Sequence, residues 1–231
     1  MPILECRNLT KHFGAVRALE NVNLTVEPGR IVGLLGPNGS GKTTFIKLAN
    51  GLLTPTCGEI LIDGIRPGVQ TKRMVSYLSD KEYLPDWMNA RQLIEFFADF
   101  YRDFEPERAR RMLEHLGIRD DMLIRQMSKG TREKAQLIMV MSRQAKLYLL
   151  DEPIGGVDPA TRDYILDTII RNYNPEASVI ISTHLIADVE QVLDDVIFIQ
   201  NGQITLQSSV DAIREEHGKS VDQYFREVFR W

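Results

Sequence analysis

Polar and apolar residues alternate early in this chain, recur at helical spacing through its middle, and give way to short apolar runs later. Within residues 16–27 the apolar positions Val22, Leu24 and Val26 alternate with polar ones, the period of a half-buried strand, and residues 3–8 predict a partner strand. Pro28-Gly29 marks a turn, after which residues 30–35 form an apolar run expected to be a strand buried on both faces. Two further strands are predicted at 58–63 and 74–79, separated by a break from Gly64 to Gly68. From Asn89 to Gln144 the period becomes helical, with Leu93, Phe96, Phe97 and Phe100 at three-to-four spacing. Glu105-Pro106 opens a second helix with apolar Met112, Leu113 and Leu116, closed by Gly117, and Ser128 caps a third that runs to about Gln144. Strands return at 146–150, 178–182 and 194–200, with a helix starting near Asp158-Pro159 between the first two. Asn201-Gly202 is a two-residue hairpin signal joining 195–200 to 203–207. In the tail, 219–230, Val221, Tyr224, Phe225, Val228 and Phe229 share one helix face, which is expected to pack on its own domain.

Strands alternating with helices argue for an α/β fold with a mainly parallel sheet, interrupted from about 83 to 145 by a helical sub-domain. No linker, repeat or low-complexity stretch divides the chain, so residues 1–231 are expected to form a single domain. Acidic residues (32) slightly outnumber basic ones (28), and no long basic tract occurs, so no nucleic-acid partner is expected. Cys6 and Cys57 give neither a metal spacing nor a disulfide framework, which fits a reducing compartment. Glu5, Arg7, Lys11, His12 and Arg17 exclude a secretory apolar segment. With no run of 18 apolar residues, any membrane role must come through a partner.

The sharpest chemical signal follows the 30–35 strand: Gly36-Pro37-Asn38-Gly39-Ser40-Gly41-Lys42-Thr43-Thr44. The glycines let successive backbone N–H groups turn inward around phosphate oxygens. Lys42 has the reach for β- and γ-phosphates, and the Thr43 hydroxyl is a hard oxygen suited to Mg²⁺. A helix predicted from Thr44 to Leu53 would face the phosphates with its positive end. No G-x-G-x-x-G accompanies it, which argues against a dinucleotide site. A second apolar strand, 146–150, ends in Asp151-Glu152-Pro153. Asp151 is a candidate ligand for Mg²⁺, and Glu152 is a candidate base for an attacking water.

Between these motifs, Met127-Ser128-Lys129-Gly130-Thr131 resembles the signature of ATP-binding cassette (ABC) proteins, usually Leu-Ser-Gly-Gly-Gln. Gly155-Gly156-Val157-Asp158-Pro159 resembles that family's D-loop, and Ser182-Thr183-His184 its switch histidine. The resemblance runs from about residue 3 to 215. It implies a phosphate-loop NTPase core with a mainly parallel sheet, an antiparallel β sub-domain and an inserted α-helical sub-domain. It further implies that Phe13 stacks on adenine, that Ser128 and Gly130 close over the γ-phosphate of ATP held by the opposite subunit, that Asp158 signals between the two sites, and that His184 contacts the γ-phosphate. Two departures from the pattern matter: Asp80 stands where the family carries a Gln that touches Mg²⁺ and the attacking water, and Lys129 replaces the first of the two signature glycines.

The resemblance implies Mg²⁺-dependent conversion of ATP and water to ADP and phosphate by a head-to-tail dimer, homomeric or paired with another ABC subunit. It implies a place at the cytoplasmic face of the cell membrane, held there by an integral membrane permease whose helix would dock near Tyr83 to Arg91. The alternative is a soluble ABC-type ATPase acting on nucleic acid or ribosomes; no long insertion of the kind such proteins carry is present. A GTPase would need an Asn-Lys-x-Asp segment, and none occurs. Cargo and direction of transport are not written in the chain.

Overall fold

A computed structural model describes residues 1–174 and 176–229. Two sheets carry the fold. The smaller is antiparallel, in the order β2-β1-β4, with β1 at Leu4–Phe13, β2 at Val16–Val26 and β4 at Cys57–Ile62. The larger has the order β5-β6-β7-β3-β8-β9, built from β3 (Ile31–Leu35), β5 (Val75–Leu78), β6 (Leu147–Asp151), β7 (Ser178–Thr183), β8 (Asp195–Gln200) and β9 (Gln203–Ser209). Its first five strands are parallel, and β9 returns antiparallel along the edge. Strands β3, β6 and β7 are buried at every position, which is why their apolar residues are consecutive, as at 147–150 and 179–181, rather than alternating.

Helix α1, Lys42–Ala49, lies between the two sheets. Phe45, Ile46, Leu48 and Ala49 join Leu4, Leu9 and Leu24 of the small sheet and Leu34, Leu149 and Ile180 of the large one in a single buried cluster. Complete burial of a side chain such as Phe45 contributes roughly 1.5–3 kcal/mol, so this layer fixes the helix start that follows the phosphate loop. The opposite face of the large sheet is covered by α4 (Lys129–Met141) and α5 (Pro159–Asn172), with α6 (Ile186–Val189), α7 (Val210–His217) and α8 (Val221–Val228) toward the tail. A third cluster belongs to the helical block of α2 (Ala90–Phe100), α3 (Pro106–His115) and the face of α4 that carries Ala135, Ile138 and Met139. Arg143 fastens that block to the core. It is almost fully buried, grips Asp103 through two nitrogens at 3.1 and 3.0 Å, and donates to the Val75 carbonyl at 2.6 Å.

Several elements differ from the sequence reading. The first strand reaches Phe13 instead of stopping near residue 8, because register shifts along β1 let it keep pairing with β2 through its polar stretch. Helix α1 starts two residues earlier than expected and ends at Ala49, where Gly51 turns left-handed (φ 68°). Helix α4 stops at Met141, since the Gln144 N–H is taken by the Asp103 carbonyl. The short helices α6 and α7 went unread. The tail helix packs on its own domain: Tyr224, Phe225 and Phe229 surround Phe198 of β8 with ring centroids 5.2–6.1 Å apart. Val228 turns outward, however, and residue 230 of the expected helix lies outside the described residues.

Candidate active site

The phosphate loop leaves the C-terminal end of β3, in the middle of the parallel sheet, where ligands gather in open α/β folds. Gly41 ends it in a conformation open only to glycine (φ 112°), and a Cβ there would lie 2.6 Å from the Ala18 carbonyl. The β8–β9 hairpin braces the loop from outside. Asn201 and Gly202 both have positive φ, as a two-residue hairpin turn requires, and the Gly202 N–H donates to the Ser40 carbonyl at 2.9 Å. The Lys42 ammonium folds back to donate to the carbonyls of Gly36 (2.8 Å) and Pro37 (3.2 Å).

Strand β6 delivers the carboxylates. Asp151 is 1 % exposed, and its Oδ1 accepts from Ser182 Oγ (2.5 Å) and Thr43 Oγ1 (3.2 Å). Its other oxygen, Oδ2, is buried without a hydrogen-bond partner. Burial pushes the Asp151 carboxyl above the usual carboxylate range, against the two hydroxyl donors, with Asp80 and Glu152 adding to the rise. Glu152 follows in a left-handed conformation (φ 50°), unusual for a non-glycine residue and costing about 1–2 kcal/mol. That turn, held by the Glu152 N–H on the Ser182 carbonyl at 3.0 Å, separates the directions of two consecutive carboxylates. Glu152 Oε1 meets Lys42 Nζ at 3.3 Å and Oε2 meets His184 Nδ1 at 3.1 Å.

One open cleft of about 520 Å³ gathers Asn38, Gly39, Gly41, Lys42, Thr43, Thr44, Asp80, Glu152 and His184. Of the other loop residues, Ser40 is buried behind it. Phe13 closes the β1–β2 hairpin opposite Val16, half exposed and carrying Lys11 Nζ 5.0 Å above its ring. Val16, Arg17 and Ala18 of the same hairpin line the cleft and were not singled out from the sequence, where they read as ordinary strand residues. Ser182, also missed, is visible only through register, since β6 and β7 pair Asp151 with Ser182.

Ser128 and Gly130 are not among the residues lining this cleft. Ser128 caps α4, accepting from the Thr131 N–H at 3.2 Å, and a Cβ on Gly130 would meet nothing within 4 Å. Lys129 is exposed and 3.7 Å from Glu133. Asp158 caps α5 through the Thr161 N–H (3.1 Å) and hydroxyl (2.7 Å), and these bonds hold its carboxyl below the usual range. Trp87 is 64 % exposed, so it is not a core residue. Among the described residues no helix is long and apolar enough to cross a membrane.

Comparison with known proteins identifies the family and the fold. The family model described as ABC transporter matches residues 19–155. The SkfA peptide export ATP-binding protein SkfE of Bacillus subtilis (strain 168) is 30 % identical, over 94 % of this chain and 93 % of that protein. A solved structure of an ATP-binding subunit of an ABC transporter superimposes with a TM-score of 0.87 at 28 % identity, covering 99 % of this chain and all of that one. MJ0796, solved as a dimer in a post-hydrolysis state with ADP and phosphate, has the same fold, with a TM-score of 0.77 at 23 % identity over 89 % of this chain and 98 % of that one. The chain belongs to the ABC transporter family and is an ATP-binding ATPase cassette.

Proposed function

We propose that this single cassette is the energy-coupling subunit of a membrane transporter and hydrolyses ATP only as a head-to-tail pair. The observation that carries the reading is the division of the site. Lys42, Thr43, Asp80, Glu152 and His184 share one cleft, while Ser128 and Gly130 lie off it at an open helix start. A second copy, or a paired ABC subunit, would bring its own Ser128 and Gly130 over the nucleotide. That SkfE is a peptide export protein and that MJ0796 was solved as a dimer both support this reading.

The backbone N–H groups from Gly36 to Thr44 cradle the phosphates, and Lys42 exchanges its carbonyl partners for β- and γ-phosphate oxygens. Glu152 orients the attacking water and takes its proton. His184, next to Glu152, holds the γ-phosphate. Phe13 offers its exposed face to the adenine, a stacking contact worth roughly 1–3 kcal/mol. Asp158, at the mouth of α5, carries the signal between the paired sites.

The donor set fits Mg²⁺. Asp151 presents a buried oxygen without a partner, and Thr43 presents a hydroxyl beside it. Asp80 adds a carboxylate from the exposed side of the cleft. No cluster of three His, Cys, Asp or Glu ligands occurs among the described residues, which suits an ion held by one or two carboxylates and by phosphate oxygens. When bound, Mg²⁺ supplies neutralisation of charge on the γ-phosphoryl group.

The test is a concentration series. Purified chain with Mg²⁺ and ATP should show a rate per molecule that rises with protein concentration and saturates as pairs form. A rate per molecule that stays flat while light scattering reports monomers rules out the paired site.

A further inference from the structure

The loop from Ser79 to Tyr83 carries Asp80 to the cleft, yet it belongs to no strand or helix. One side chain supplies the hydrogen bonds that regular structure would otherwise provide. Gln136 sits on α4 in an otherwise apolar run, Ala135 to Met141, and is only 4 % exposed. A buried amide without partners costs roughly 1–3 kcal/mol, so its contacts are not incidental. Gln136 Oε1 accepts from the Tyr83 N–H at 3.2 Å. Its Nε2 donates to the carbonyls of Lys81 (3.2 Å) and Ser79 (3.4 Å). Both donors and the acceptor are therefore spent on the backbone on either side of Asp80. One helical turn earlier, Arg132 lies 3.0 Å from Glu82 of the same loop, an ion pair without hydrogen-bond geometry.

We propose that Gln136 is a positioning residue that binds the Asp80 loop to α4, the helix that begins at Ser128. The two then move as one body. The placing of Asp80 at a chain's own nucleotide becomes linked to the placing of Ser128 and Gly130 at the partner's. This rests on the paired-cassette reading above. Gln136 touches no residue of the phosphate loop, so nucleotide capture is independent of it, whereas closure of the pair and the hydrolytic step depend on it.

Gln136→Met keeps the side chain's length and removes all three bonds; Gln136→Ala leaves room for water to satisfy the loop carbonyls. Each is measured for kcat, for KM for ATP, and, combined with Glu152→Gln, for ATP-dependent dimerisation in size-exclusion chromatography. A misplaced loop costs rate rather than capture, so kcat should fall about tenfold or more with KM for ATP within about twofold of the parent. The dimer formed with Glu152→Gln and ATP should need higher protein concentration. Gln136→Glu adds a readout that a packing role would not move. Protonated, it regains the acceptor and one donor, so its kcat relative to the parent should recover as pH falls, while that of Gln136→Met does not. If Gln136→Met fails to fold, Gln136→Ala decides by the same measurements. Unchanged kcat and unchanged dimerisation in the folded variant overturn this inference alone. A parent chain that hydrolyses ATP at a rate per molecule independent of its concentration overturns the paired-cassette reading and this inference with it.

Discussion

The Lys42 ammonium lies 3.3 Å from the Glu152 carboxylate, so the expected phosphate clamp and the expected base are ion-paired partners. Glu152→Gln weakens that pairing while keeping shape and a hydrogen-bonding group beside His184. It should bind ATP as tightly as the parent or more so, and hydrolyse it about 10²–10⁴-fold more slowly. Titration calorimetry gives the affinity, and accumulation of an ATP-dependent dimer in size-exclusion chromatography gives the trapped state. Turnover at the parent rate would remove Glu152 from the role of base.

Lys42→Ala acts on the other partner. Hydrogen bonds to charged groups contribute about 1.5–3 kcal/mol, which is roughly ten- to a hundredfold in affinity. The expected outcome is that loss in calorimetric ATP binding. The carbonyls of Gly36 and Pro37 also lose their donor, so the loop's own order should suffer, visible as faster amide exchange over residues 36–44.

Gly130 separates folding from pairing. It lies in α4 with open space where a Cβ would go, so Gly130→Ala should leave the melting temperature unchanged or raise it, alanine being favoured over glycine in a helix by about 1 kcal/mol. If the partner's phosphates must approach that backbone, the same variant should lose most of its ATPase activity while keeping ATP affinity. Full activity would mean that the open space is solvent and nothing more.

Why some of this was legible in the sequence and some was not follows from where each signal lies. The phosphate loop, Asp151-Glu152 and the Ser128 cap are local patterns, written in consecutive residues with fixed backbone demands. The parallel core was legible because strands buried on both faces carry runs such as 147–151. Long-range contacts left no such trace. Ser182 reaches Asp151 only through the pairing of β6 with β7, and Gly202 braces Ser40 only because a hairpin folds against a distant loop. Gln136 reads as a lone polar residue in an apolar helix until the loop it holds is in place. Helix α7 was missed because only Val210 and Ile213 of it are buried, too few for a period to show.

Asp151 gives a pH-dependent signature. Its folded-state carboxyl is raised above the ordinary 3.8, chiefly by burial, so the folded chain holds a proton that the unfolded chain has released. Stability from this group is therefore full below 3.8 and lost as pH rises through the folded value. Asp151→Asn removes the burden and keeps an acceptor for Thr43 and Ser182. The difference in melting temperature between variant and parent, without nucleotide, should be near zero below the ordinary 3.8, grow in the variant's favour as pH rises through the raised folded value, and hold constant above it. The same variant should lose Mg²⁺-dependent hydrolysis. A constant difference across that range would show that burial of the charge is not what strains the site.

Trp87 tests the membrane partner. It is 64 % exposed, with Tyr83 nearby in sequence at 43 %, whereas Met88 beside it is buried and anchors the segment. Exposed apolar side chains that cluster mark interaction surfaces, and aromatic anchors dominate interface energies. Trp87→Ala removes no core contact, so folding and basal ATPase should stay within the range of ordinary surface changes, about 0.5 kcal/mol. Loss of an interface anchor costs about 2 kcal/mol or more, roughly thirtyfold in affinity for the permease. Reconstitution with a permease that stimulates the parent chain's ATPase, in detergent or nanodiscs, should therefore show weakened assembly and loss of stimulated ATPase with the basal rate retained. Stimulation equal to the parent's would place the docking surface elsewhere on the helical block.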